Sequence, residues 1–153
     1  MKQEISQKKV GIDFGSYDSI VIKKHITDIE GGRTLDCTGF PEDVVLAAHV
    51  IISTVDATTG EKTYKPMPIK QVLVDNEPQV DEYGNKVYAY DTLPEGAQYE
   101  GVLYRSILKD QPAASILIDG VVNDKVMKIQ LGNIEAAFKA ACKHIIFNHD
   151  EEA

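Results

Sequence analysis

The chain has 153 residues, 43% of them apolar, and a formal net charge of -8. That length supplies one hydrophobic core with room for an appended arm, not two independent domains. The acidic balance argues against nucleic acid as a partner, and no run approaches the roughly 18 unbroken apolar residues that span a bilayer, so no membrane partner is expected.

The charge is unevenly placed. Residues 1–27 carry Lys2, Lys8, Lys9, Lys23 and Lys24 against Glu4, Asp13 and Asp18, a balance of +2 that leaves the rest of the chain at -10. The start, Met1-Lys2-Gln3-Glu4, lacks the apolar stretch of a secretory signal, so synthesis in the cytoplasm is expected. From Lys9 to Lys24 apolar residues alternate: Val10, Ile12 and Phe14, then Gly15-Ser16-Tyr17-Asp18 as a turn, then Ile20 and Ile22. This pattern predicts a hairpin or an extended arm. Residues 28–41 have little apolar periodicity and contain Gly31-Gly32, Gly39 and Pro41, which predicts a linker.

Short β-type runs follow. Residues 44–53 are strongly apolar, Asp56-Ala57-Thr58-Thr59-Gly60-Glu61 turns the chain, and residues 62–67 return toward Pro66 and Pro68, which mark a strand end or an edge. Further runs are predicted at 72–74, 87–90, 99–108 and 115–118, with turns at 81–85, 93–96 and Asp119-Gly120. From Asn133 the spacing becomes helical: Ile134, Ala137, Phe138, Ala141, Cys142 and Ile145 share a stripe, with Asn133 as the expected cap. Ile145-Ile146-Phe147 is a candidate closing strand. The expected fold is mainly β: a small β-barrel or β-tulip-like domain over residues 41–153, with one C-terminal helix at 133–145, preceded by an N-terminal arm or hairpin and linker at 1–40.

No residue constellation calls for catalysis. Val10-Gly11-Ile12-Asp13-Phe14-Gly15-Ser16 resembles the first phosphate loop of the actin and Hsp70 ATPases, but that fold needs more than twice this length and a second loop, so Gly15 is read as a turn glycine. Asp28, Glu30 and Asp36 lack the spacing of a calcium loop. His25, His49, His144 and His149 have no partners at metal-ligand spacing. Cys37 and Cys142 are read as buried thiols, and no nucleophile elbow is present. No cofactor or metal is expected.

Four stretches carry a family resemblance: Ala47-Ala48-His49-Val50-Ile51, Tyr64-Lys65-Pro66-Met67-Pro68, Tyr99-Glu100-Gly101-Val102-Leu103, and Ala114-Ser115-Ile116-Leu117-Ile118-Asp119-Gly120-Val121-Val122-Asn123. Together with the helix and apolar segment that follow, they resemble the head-decoration and head-fibre proteins of tailed bacteriophages. That family commonly carries glycine where Ala48 stands, so this chain departs from it there. Gly101 and Gly120 are expected to permit sharp bends between strands. The resemblance implies a non-enzymatic virion protein on the capsid exterior, often a homotrimer, whose partner is the major capsid protein. Val10, Ile12, Phe14, Ile20 and Ile22 are the candidates for an arm that staples onto it, although burial against the chain's own body fits their alternation equally. Removing residues 1–39 is then expected to leave a folded domain. The alternative is a generic β-barrel module for adhesion or ligand binding, of bacterial origin.

Overall fold

A computed structural model describes residues 14–148. The chain begins with helix α1 (Phe14–Val21) and strand β1 (Ile22–Asp28), followed by β2 (Arg33–Thr34), β3 (Val44–Val45), β4 (Val50–Val55) and β5 (Lys62–Pro66). Four short strands come next: β6 (Ile69–Gln71), β7 (Leu73–Val74), β8 (Glu77–Pro78) and β9 (Tyr88–Tyr90). They lead to β10 (Ala97–Leu103), β11 (Ile107–Leu108), β12 (Ala113–Ala114) and β13 (Ile116–Val122). A 3-10 turn at Gly132–Ile134 runs into helix α2 (Glu135–Ala141), and β14 (Ile145–Phe147) closes the described chain.

The fold is mainly β. Its centre is a six-stranded sheet in the order β1-β13-β10-β4-β5, with β14 added parallel to the second half of β13. The sheet does not close into the expected barrel. Among the described residues its outer strands β1 and β5 do not pair; the segment after β2 reaches β5, where Leu35 bridges Tyr64 and the Asp36 N–H donates to the Tyr64 carbonyl at 2.8 Å. The central strands β4 and β10 are covered on both faces, so neither face is a lumen. Val50, Ile52, Val102 and Leu117 face one cluster, which includes Val21, Ile134, Phe138 and Ile145. Ile51, Leu103 and Ile116 face the other, completed by Leu35, Cys37, Phe40 and Val45. Alternation along β4 and β10 therefore feeds two cores rather than one core and solvent.

Several expectations are corrected here. Gly15-Ser16-Tyr17-Asp18 is not a hairpin turn but lies within α1. Tyr17, Ile20 and Val21 stand at i, i+3 and i+4, a helical spacing that coexists with the alternation, and tertiary contacts decide between them. The Asp18 carboxylate accepts the Ser106 hydroxyl at 2.5 Å and the Ser106 N–H at 3.0 Å, while Ser106 Oγ accepts the Ala47 N–H at 2.9 Å. Tyr17 donates its hydroxyl to the Ala47 carbonyl at 3.4 Å. The segment expected as a linker supplies Leu35, Cys37 and Phe40 to a core, and β1 pairs with β13, so residues 22–40 share the body's cores instead of standing apart. Helix α2 ends at Ala141, shorter than the expected 133–145, and Asn133 lies inside the 3-10 turn without capping it.

Gly101 and Gly120 do not bend the chain between strands. Both sit inside strands where backbones nearly touch: a Cβ on Gly101 would lie 2.1 Å from the Leu117 carbonyl oxygen, and one on Gly120 would lie 2.4 Å from that of Lys24. Gly101 also marks a register shift in the β10–β4 pairing, so the missing side chain permits a close crossing at an irregular ladder. Elsewhere the turn chemistry acts as read. Asp56 accepts the N–H groups of Thr58 and Thr59 at 2.7 and 3.0 Å, and β5 returns antiparallel to β4 with Pro66 as its last residue.

Candidate interaction surface

Of the five candidate docking residues, Val10 and Ile12 lie outside the described residues, and Phe14 opens α1. Ile20 is half-buried on α1, and Ile22 is buried in the core cluster with Val21 and Val122. The structure brings Ile22 to the chain's own body.

The most perturbed ionisable groups are consumed by the core. His49 is buried between the rings of Phe40 and Tyr90, at centroid distances of 5.3 and 5.1 Å. Its Nε2 donates to the Met67 carbonyl at 2.9 Å, and burial pushes its pKa down to about 4, which keeps the ring neutral. Tyr90 accepts the Val50 N–H at 3.0 Å, and its burial pushes the phenol far up. Cys142 is pushed up to about 11 by burial, so its sulfur is an inert thiol at neutral pH. Neither cysteine is in a disulfide.

One polar trio resembles hydrolase chemistry in composition. Ser115 Oγ donates to Asp28 Oδ2 at 2.8 Å, and His25 Nε2 lies 3.1 Å from the same oxygen. A nucleophilic triad needs histidine between serine and acid; here the carboxylate is in the middle, so nothing takes a proton from Ser115. These bonds, Ser115 first, hold Asp28 below the usual carboxylate range. The trio ties the end of β1 to the residue preceding β13. Among the described residues, no group of His, Cys, Asp and Glu converges as a metal site, and no helix is long and apolar enough to cross a membrane.

The most distinctive surface is a β-arm over residues 69–90. Its base is the β6–β9 pair, its middle is held by Val72 N–H to the Val87 carbonyl at 2.9 Å, and its tip is the β7–β8 hairpin. Asp75 and Asn76 turn that hairpin with φ of 52° and 65°. Two consecutive positive φ values define a tight turn of the kind that Asx residues tolerate and that matches strand twist. A second loop is nucleated by Asp81, which accepts the N–H groups of Tyr83 and Asn85, both at 2.9 Å. Residues 73–80 are all exposed, including Leu73, Val74 and Val80 at more than half of their surface. Sequence reasoning found the strands flanking this arm but not the Asp75-Asn76 turn. The signal was two adjacent Asx residues between apolar runs.

Between arm and body lies an open groove of about 1230 Å³, with Tyr17, Tyr83, Tyr88, Glu42, Asp81 and Lys128 on its walls. Tyr88 is pushed up to about 12, first by desolvation and then by its hydrogen bond with Glu42. The described chain is thus a small two-faced β-domain carrying a projecting β-arm. In comparisons with known proteins no family model matches the sequence, and no curated protein or solved structure is significantly similar. The likeness to phage head proteins rests on the quoted stretches alone.

Proposed function

We propose that this is a non-enzymatic auxiliary structural protein that attaches to the outside of a tailed-bacteriophage capsid, as a homotrimer on the major capsid protein, and stabilises or decorates the head. The observation that carries this reading is the backbone at Ala48. This residue sits with φ of 69° in the turn closed by His49 N–H to the Leu46 carbonyl at 3.2 Å. Few L-residues other than Asn and Asp adopt that conformation readily, and glycine does so without cost. It falls at the position where the resembled family usually carries glycine. The four resembling stretches also occupy the centre of the fold: they contribute to β4, β5, β10 and β13, which are consecutive neighbours in the main sheet.

Capsid docking is assigned to the N-terminal segment through Val10, Ile12, Phe14 and the half-exposed Ile20; Ile22 is withdrawn because it is buried in the chain's own core. The test is co-sedimentation with capsids of the encoding phage assembled without this protein. Full-length protein is expected to pellet with capsids. A version lacking residues 1–13, with unchanged circular dichroism, is expected to stay in the supernatant. Full-length protein that fails to pellet sinks the reading.

A further inference from the structure

We infer that the β-arm of one copy docks on the outer face of β1, β13 and β14 of a second copy, making a head-to-tail contact between identical chains. A two-stranded hairpin is marginal alone in water; the base of this arm packs on the body through Ile69 and Tyr90, while its tip leaves its apolar side chains in solvent. Leu73, Val74 and Val80 are 59, 53 and 55% exposed. Leu73 pairs with Pro78 and Val74 with Glu77, so the hairpin exposes apolar groups on both of its faces, and exposed apolar residues grouped on a projection mark a contact surface. Around them stand the exposed carboxylates of Asp75, Glu77 and Glu82 against one exposed cation, Lys86, which bridges to Val80, so the tip of the arm is apolar with a net negative charge.

The same chain carries the complement. Lys24 pairs with Val121 across β1–β13, and Val121 pairs with Ile146 across β13–β14. Directly paired residues share a face, which places Lys24, Val121 and Ile146 in one row. Ile146 is 58% exposed, and Ile26, two residues on from Lys24, is 48% exposed. The turn at Lys143-His144 adjoins this row, because the His144 carbonyl accepts the Gly120 N–H at 3.2 Å. Lys143 adds a second exposed cation. Two carboxylates lie nearby: Asp28 is already engaged by Ser115 and His25, and Asp119, opposite Thr27, is only half-exposed, so the fully exposed charges of the face are those of Lys24 and Lys143. The arm and the face lie on different elements of one molecule, β7–β8 and β1–β13–β14, so the arm of one copy can meet the face of the next. Such a heterologous contact closes into a ring where its rotation permits. Complementary charge sets the orientation, and the buried apolar groups supply the attraction.

The contact does not depend on capsid attachment; it specifies how the copies in the proposed homotrimer meet. Light scattering after size exclusion tests it, with circular dichroism verifying each fold. Full-length protein is expected to run as an oligomer. Glu77→Lys with Glu82→Lys on the arm, or Lys24→Glu with Lys143→Glu on the face, is expected to reduce it to monomer. Combining all four substitutions restores the charge match and is expected to restore the oligomer. Leu73→Ser with Val80→Ser is expected to give monomer without rescue by the face variant. A monomeric full-length protein overturns the inference. An oligomer that survives either charge-reversed pair also overturns it, whether arms then meet arms or the chain's own acidic 149–153 segment covers the face. A monomer that still pellets with capsids sinks this contact alone; a ring that does not pellet sinks the capsid reading alone.

Discussion

The main sheet and the arm use the same kinds of residue to opposite ends. Val50-Ile51-Ile52 in β4 and Val72-Leu73-Val74 at the arm are both runs of apolar, strand-favouring side chains. In β4 all three are fully buried, because each face of the sheet has its own cover. At the tip of the arm no described segment covers Leu73 and Val74, which stay in solvent. Strand propensity decides local conformation, but burial depends on what other segments arrive to cover it. Stability should therefore reside in the sheet and its two covers, and the arm should be nearly free to change.

The largest expected effect tests the cover. Removing residues 1–40 deletes β1 and strips Leu35, Cys37 and Phe40 from the second cluster. The expected result is a chain with no cooperative thermal transition, whereas a version starting at residue 14 melts like the full-length protein. A cooperative melt after the longer deletion would show that residues 22–40 are dispensable, as the sequence pattern alone led one to expect. Next is Gly101→Ala, whose Cβ would meet the Leu117 carbonyl oxygen at 2.1 Å. Backbone cannot move aside as a flexible side chain can, so the expected loss is about 4 kcal/mol in denaturant unfolding. Leu73→Ser in the arm, by contrast, is expected to change stability of the monomer by no more than about 0.5 kcal/mol. Comparable losses at both positions would erase the contrast between sheet and arm.

How far the sequence could be read follows the same division. The β4–β5 hairpin was legible because its turn chemistry and its strand patterns agree: Asp56 and Gly60 between two apolar runs admit few other readings. The closing strand at Ile145–Phe147 was legible from three consecutive apolar residues after the helix. Helix α1 was misread because Val10, Ile12, Phe14, Ile20 and Ile22 alternate while Tyr17, Ile20 and Val21 also keep helical spacing. Only the bonds from Asp18 to Ser106, 88 positions away, decide the matter. The 28–41 segment looked like a linker because its buried residues, Leu35, Cys37 and Phe40, follow neither period; they pack from an irregular loop. The interaction surface was least legible. Exposure of an apolar residue is a property of the assembled fold, which no local pattern encodes.

Acid probes the second cover through His49, whose walls are the rings of Phe40 and Tyr90 and whose donor bond goes to Met67. The folded pKa is about 4 against the 6.5 of an ordinary histidine. Its folded value is depressed, so below pH 6.5 the unfolded chain binds a proton that the native one refuses. Stability is then full above pH 6.5, declines as pH falls toward 4, and is lost by about 3 kcal/mol once both states are protonated. Asp28, Asp36, Asp56 and Asp81 are also held below their usual range by hydrogen bonds. Their contributions fade only below about pH 4, so the two windows separate. Urea titrations between pH 7 and 4 are expected to slope downward for the natural chain and to run flat for His49→Asn. An equal slope in both would place the acid sensitivity elsewhere.

The smallest effect bears on the turn that enters the sheet. Ala48 is buried, its N–H donates to the Leu103 carbonyl at 2.7 Å, and its φ of 69° lies where a Cβ crowds the following carbonyl. Holding alanine there costs roughly 1–2 kcal/mol relative to glycine. Glycine in turn makes the unfolded chain more flexible, which offsets roughly 0.4–1 kcal/mol. The methyl group also fills space in the main cluster. Relief of backbone strain is the larger of these terms, so Ala48→Gly is expected to stabilise the protein by about 0.5 kcal/mol and raise Tm by about 1–2 °C in calorimetry. Ala48→Val, which adds branching at the same φ, is expected to lower Tm by several times as much. A lower Tm for the glycine variant would mean that packing of the methyl outweighs the strain, and alanine would then be the better residue for this turn. That outcome would also remove the support that this position lends to the phage reading, because a glycine in the resembled family would no longer be answering the same backbone demand.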